Sequence, residues 1–458
     1  MDILPDDVLL SIFDFCANEY AEWPKLVWET LVHVCRRWRS LVFGSPRSLN
    51  LQLICTSRTL ARNMLDVWPP LPLHILSIWP YANVDNIVAL LEHKNRVCRI
   101  HISNISSLDL EKVLAAMQEP FPELTRLTLG ANEITTAVLP DSFLGGSAPR
   151  LRYLSFIGIP FPGLPKLLLS ATQLTDLNLY GIPHSGYFSP EAMVTALSTL
   201  TSLEDLYLEF QSPLSFPDRA SSRLPPPTPI VFPVLTFFWF SGVGEYLDDL
   251  VVRIDAPLLK RLSITFFNQI LFDTPRLVQF ISRTPALKAP GTAHLLFRDG
   301  AARVELSSGA SYYEVLSVGI LCQNSDWQVS ALEQVCTSCL PPLSTLEDLY
   351  IYESPHQHPK WQDNIENSLW LELLQPFTAV KNLYLSEEFE PRIMPSLQEL
   401  VGERMTEVLL TLQNLFLEGL DTSGPVPKAS EQFVARRQAS QPIAVSHWDG
   451  RGKIDLYE

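Results

Sequence analysis

At 458 residues with 47 % apolar side chains, the chain is long enough and apolar enough to bury a sizeable core. Asp and Glu number 50 against 34 Lys and Arg, a net charge of −16, which argues against nucleic acid or an anionic membrane as partner, because neutralising phosphates takes clustered cations. Charge or proline interrupts every window of about 18 residues, so no membrane-crossing helix is expected.

The first seven residues, Met1-Asp2-Ile3-Leu4-Pro5-Asp6-Asp7, lack the basic start of a secretory signal. Pro5 suits the first turn of a helix, and Asp6 and Asp7 meet the positive end of its dipole. Val8, Leu9, Ile12, Phe13 and Cys16 fall at i, i+1, i+4, i+5 and i+8, one apolar stripe. A second helix is expected over Trp28, Leu31, Val32, Val34, Cys35, Trp38, Leu41 and Val42, ended by Pro46. Two helices of about three turns cannot bury so much apolar surface between themselves, so some is left for a partner.

Leu4-Pro5, Leu9, Ile12-Phe13 and then Val34-Cys35-Arg36-Arg37-Trp38, in that order, make residues 1–47 resemble an F-box. That module docks a Skp-type adaptor and, through it, the cullin core of an SCF ubiquitin ligase. The resemblance implies adaptor contacts from Leu4, Pro5, Leu9, Ile12, Phe13, Val34, Cys35 and Trp38. The segment Ala17 to Lys25 makes the gap between the two halves longer than in compact F-boxes. The alternative is a helix pair that merely caps the neighbouring domain.

Residues 48–72 read as a connector, with a helix over Arg58 to Trp68 stopped by Pro69-Pro70. From residue 73 a Leu-x-x-Leu-x-Leu pattern recurs, other apolar residues being allowed. Copies start at Leu73, Val97, Leu124, Leu151, Leu174, Leu203, Leu235 and Leu259, and again at Leu346, Val380 and Leu412. The first eight starts lie 23 to 32 residues apart, close to the period of leucine-rich repeats. Each copy is expected to form a short strand with its apolar residues inward. Segments between copies carry helix-start signals, as in Ser189-Pro190-Glu191 and Thr274-Pro275.

The array, residues 73–420, resembles the irregular leucine-rich repeats of F-box proteins. It departs from their consensus in two places. Only the copy from Leu124 to Asn132 ends in the turn asparagine. The 87 residues from Leu259 to Leu346 show no clean copy, and Ala302 to Leu306 and Tyr313 to Leu321 read as two strands of a hairpin-like insertion or as degenerate repeats. Gln211 to Pro233 holds seven prolines and reads as an exposed loop; a polyproline ligand is the alternative. Residues 421–458 read as a capping segment with a turn at Asp421 to Pro425, a helix over Glu431 to Gln438 and a final strand from Ile443 to Trp448.

The expected fold is therefore α/β: a short all-helical F-box-like module, then a leucine-rich-repeat horseshoe with parallel strands on its concave side and helices outside. Catalytic motifs are lacking. Gly242-Val243-Gly244 is no phosphate loop, and a Gly-x-Ser-x-Gly elbow does not occur. Cys336 and Cys339 with His356 and His358 have zinc-ligand types, but helix packing and loop positions account for them better. Seven scattered cysteines fit free thiols in a reducing compartment, cytoplasmic or nuclear. No enzyme activity, cofactor or metal is expected.

The residue between the last two apolar positions of each copy forms a column on the concave side. It reads Thr128, Ser155, Asn178, Tyr207, Trp239, Ser263, Tyr350, Tyr384 and Phe416. Tyr207, Trp239, Tyr350, Tyr384 and Phe416 are large aromatics of the kind that anchor protein partners. Function is expected to be target recognition within an SCF-type ligase, with an unidentified protein as target. The alternative is a leucine-rich-repeat interaction scaffold outside any ligase.

Overall fold

The computed structural model describes the chain apart from residues 1–3, 19–26, 46–48, 50, 57–60, 62–64, 67–68, 79–82, 133–136, 161–163, 212–227, 268–271, 289, 309–313, 323–324, 356, 360, 362–364, 401–407, 421–425, 438–441 and 454–458. The chain divides into two compact units, Met1–Tyr187 and Phe188–Glu458. Both are mixed α/β repeat arrays built on mostly parallel strands.

The first unit opens with α1 (Asp6–Asn18), α2 (Val27–Val34) and α3 (Arg36–Gly44). The single second helix expected from the periodicity is split in two. Cys35 takes an extended backbone (φ −160°, ψ 168°), and its Sγ accepts the N–H of Trp38, capping α3. Arg37 then ties α3 to the start of α1, donating to the Leu4 carbonyl and the Asp6 carboxylate at 2.6 Å each.

Six strands come next: β1 (Leu53–Thr56), β2 (Leu73–Ser77), β3 (Val97–Ile105), β4 (Arg126–Ala131), β5 (Tyr153–Ile157) and β6 (Asp176–Ile182). Each pairs in parallel with the next, in chain order. The repeat pattern sets the register, because Leu127, Leu154 and Leu177 align across β4–β6, as do Leu129, Phe156 and Leu179. All six are fully buried. One bond recurs at the starts of β4, β5 and β6: Thr125, Arg152 and Thr175 each donate N–H to a carbonyl of the preceding repeat at 2.8 Å. β1 lies inside the expected connector. Leu53 and Cys55 alternate with less buried neighbours and continue the spacing of the buried Leu49 and Leu51, so a strand forms without the repeat spacing. The helix expected over 58–68 falls largely outside the described residues.

The second unit contains β7 (Asp205–Phe210), β8 (Ile230–Val231), β9 (Phe237–Gly242), β10 (Ile254–Asp255), β11 (Arg261–Phe267), β12 (Thr292–Arg298), β13 (Ala301–Ser307), β14 (Glu314–Leu321), β15 (Asp348–Glu353), β16 (Asn382–Leu385), β17 (Asn414–Glu418) and β18 (Ala444–Trp448). Its main sheet runs β7-β9-β11-β14-β13-β12-β15-β16-β17-β18. β8 and β10 pair apart from it, β8 lying inside the proline-rich stretch read as a loop, most of which falls outside the described residues.

The interval without clean repeats holds an insertion of three strands rather than two. β13 runs antiparallel to both β12 and β14, which pair in parallel with β15 and β11 respectively. β12 escaped the pattern because Ala293 to Phe297 are all buried, a continuous run with no alternation to read. Helices Pro190–Leu197 and Pro275–Arg283 start where the sequence signals them. Ser189 caps the first through its own oxygen. The second is capped from a neighbouring helix, Asp248 Oδ1 accepting the N–H groups of Arg276 and Leu277 at 2.9 Å each. The C-terminal helix and strand are also found, as Lys428–Arg437 and β18. No helix among the described residues is long and apolar enough to cross a membrane.

Candidate interaction surfaces

The N-terminal helices sort their apolar residues onto two faces. Leu9 and Phe13 point inward at 4 % and 1 % exposure, with Val32 and Val42 also buried. Phe13 meets Trp38 edge-on at 4.8 Å between ring centroids, so α1 and α3 share a small core of their own. On the outside, Leu4, Val8, Ile12 and Phe15 succeed one another at i, i+4, i+8 and i+11, and Phe15 is 66 % exposed. Val34, at the end of α2, is exposed as well.

The eight residues assigned to an adaptor contact therefore divide. Leu4, Pro5, Ile12 and Val34 are on the surface, Leu9 and Phe13 are in the core, and Cys35 and Trp38 are half-buried. Phe15 joins the outer group without being part of the F-box resemblance, and its spacing of three from Ile12 is the signal that could have found it.

On the second unit, one cross-strand row passes through every strand of the main sheet. It reads Tyr207, Trp239, Ser263, Ser317, Glu305, His294, Tyr350, Tyr384, Phe416 and Ser446. The five aromatics anticipated from the repeat spacing are all half-buried members of this row. They form two groups rather than one column. Tyr207 and Trp239 stand 6.2 Å apart, while Tyr350, Tyr384 and Phe416 form a separate stack. Five strand steps from β9 to β15 separate the groups by roughly 24 Å. That separation is the inserted hairpin, which no repeat spacing announces.

Between them the row is polar and tightly enclosed. Glu305 and Ser317 are wholly buried, and Arg303 Nη1 lies 3.6 Å from Glu305 Oε1. Burial lowers the His294 imidazole to about 4, so it is neutral at pH 7. His294 lies flat on Tyr350 at 4.6 Å and its Nδ1 is 3.4 Å from the Tyr352 hydroxyl.

The C-terminal segment folds back onto the second aromatic group. Trp448 is buried with its ring 5.8 Å from both Tyr350 and Tyr384, and its indole N–H donates to the Arg451 carbonyl at 2.8 Å. A Cβ on Gly452 would stand 3.4 Å from Tyr350 Cε1. Lys453 closes the turn by pairing with Glu418 at 2.5 Å while its ammonium sits over the Trp448 ring.

The cysteine pair with zinc-ligand spacing is enclosed in a helical turn. Burial raises both thiols above their usual range, Cys339 to about 11, and Cys339 Sγ lies 3.3 Å from Thr274 Oγ1. His358 stands exposed against Glu353, and His356 is outside the described residues. Among the described residues no three His, Cys, Asp or Glu side chains converge on one point. His447 is exposed on β18.

No family model matches the sequence, and no curated protein matches it. Among solved structures the chain is similar to an internalin from Listeria monocytogenes, at 14 % identity over 86 % of this chain and 86 % of that one. The TM-score is 0.25, a superposition too loose to carry any residue across.

Proposed function

We propose that the protein is a repeat-based interaction scaffold that serves as a substrate-recognition subunit of an SCF-type ubiquitin ligase. On this reading the N-terminal helices hold a Skp-type adaptor and the repeats hold a target protein. The observation that carries it is the outward stripe of Leu4, Val8, Ile12 and Phe15, held rigid from beneath by Leu9, Phe13 and Trp38. A lone capping helix needs one apolar face, and α1 has two; the second wants a partner. Catalysis would belong to other subunits.

Co-expression of the full chain with a Skp-type adaptor tests the reading. Stoichiometric co-purification, lost in Ile12→Asp, is the expected outcome. If the chain is monodisperse alone and the adaptor never co-purifies, the alternative of a scaffold outside any ligase takes its place.

A further inference from the structure

A chain of net charge −16 carries a cluster of cations on one sheet face. His74, Arg99 and Arg126 stand side by side on β2, β3 and β4, then Tyr153 on β5 and Asp176 on β6. Alternation along the strands sets them opposite the buried Ile75, Ile100, Leu127 and Leu154. His101 shares their face two residues beyond Arg99. Arg99, Arg126, Arg150, Arg152 and Tyr153 line an open groove of about 660 Å³ together with Glu123 and Asp176.

The local carboxylates do not balance these charges. Glu123 is taken by Arg150. Arg126 lies 4.4 Å from the centroid of the Tyr153 ring instead of on an anion. Among the described residues, no carboxylate comes within ion-pair distance of Arg99, Arg126 or Arg152. Burial and the neighbouring charge of Arg126 lower the proton affinity of Arg99 and of His101. Two guanidiniums on adjacent strands, Arg99 half-buried and neither facing a carboxylate, repel one another until an anion arrives.

We propose that this face of β2–β5 binds an acidic peptide segment of a partner protein, its carboxylates seated on Arg99 and Arg126. A guanidinium fork suits a carboxylate, and two forks one strand apart suit alternate residues of an extended peptide. From β2 to β5 is roughly 14 Å, which about four extended residues span. Glu123 and Asp176 in the groove and the overall negative charge repel a long polyanion, which favours a short acidic stretch over nucleic acid. The site is independent of the ligase reading, since adaptor capture runs through α1–α3, and either can fail without the other.

Fluorescence anisotropy on the full chain tests it, with a labelled Glu-rich peptide and the same peptide carrying Gln at each Glu. At low salt the Glu peptide is expected to bind at least about tenfold tighter, with the advantage falling as salt rises. Arg99→Gln/Arg126→Gln should remove that advantage, while Lys112→Gln, an exposed cation elsewhere in the unit, should preserve it. Circular dichroism checks that the double variant folds; if it does not, the single change Arg126→Gln at the exposed position gives the same reading. Equal binding of both peptides, or full retention in the folded variant, overturns the proposal. So does tighter binding of a single-stranded oligonucleotide, or self-association through these arginines with no peptide bound.

Discussion

Tyr350 and Tyr384, neighbours in register on β15 and β16, stack face to face with ring centroids 4.0 Å apart and planes 7° from parallel. The same tilt of 7° relates Tyr384 to Phe416 and His294 to Tyr350, so four rings on four successive strands form one continuous ladder. Parallel strands with identical register put equivalent side chains about 4.8 Å apart, which is close to a ring-stacking distance. Burial and the hydrogen bond to Tyr384 raise the Tyr350 phenol above its usual range.

Removing an inner rung should therefore cost stability as well as binding. Tyr384→Ala loses a stacked neighbour on each side and contact with Trp448, and is expected to destabilise the second unit by about 2 kcal/mol. Ser263→Ala, in the same row but outside the ladder, should change little. Urea unfolding checks both. If Tyr384→Ala is neutral, the ladder contributes nothing and its rings are free to serve a partner alone.

The C-terminal turn should matter more than its position suggests. Trp448→Ala empties a buried aromatic site and uncovers the ladder, with an expected loss of about 3–5 kcal/mol. Gly452 holds φ +89° against Tyr350, so Gly452→Val should also destabilise, by about 1 kcal/mol or more. A melting temperature unmoved by Trp448→Ala would show that the turn does not hold the array's end.

On the N-terminal helices, exposure separates binding from folding. Ile12→Asp and Phe15→Asp should leave the melting temperature nearly unchanged and abolish adaptor capture. Phe13→Ala should lower stability by about 3 kcal/mol, because Trp38 loses its only edge-on ring contact among the described residues. Equal effects of inner and outer changes on stability would mean the stripe is covered within the chain itself.

Two histidines give the protein a defined response to acid. Burial holds His74 and His294 at about 4, below the 6.5 of an exposed imidazole; at His74 the nearby Arg99, His101 and Arg126 add to the effect. The unfolded chain thus takes up protons first as pH falls. Their contribution to stability is complete above about pH 6.5 and is lost progressively down to about pH 4. His294→Phe, which keeps a flat ring on Tyr350, should flatten the stability profile over that window relative to wild type. Parallel profiles would mean that His294 takes up its proton as readily in the fold as in the unfolded chain.

Much of this was legible in the sequence. Leu-x-x-Leu-x-Leu located β4 to β7 and β15 to β17, because a half-buried strand must alternate and a repeat must keep its period. Less legible was whatever alternation cannot encode. β12 is buried along most of its length, so nothing in Thr292 to Arg298 alternates. The break at Cys35 depends on a thiol acting as a helix cap, which residue type alone does not favour. The return of Trp448 onto Tyr350 depends on Gly450 and Gly452 adopting positive φ, and glycines there read only as a loop. The split of the aromatic column comes from the inserted strands, of which the sequence announced β13 and β14 but not β12.

The antiparallel strand β13 gives the second unit a mechanical property that a plain repeat array lacks. In such an array the next strand along the chain is also the next in space, so tension on one end peels strands off singly. Here the order in space is β11-β14-β13-β12-β15. Once β15 has been pulled away, the chain leads to β14, which is still hydrogen-bonded on both edges, to β11 and β13. It cannot peel; it must be sheared out from the middle of the sheet. Stretched from its C-terminus, the protein should yield in small steps as far as β15 and then resist until β12, β13 and β14 give way together.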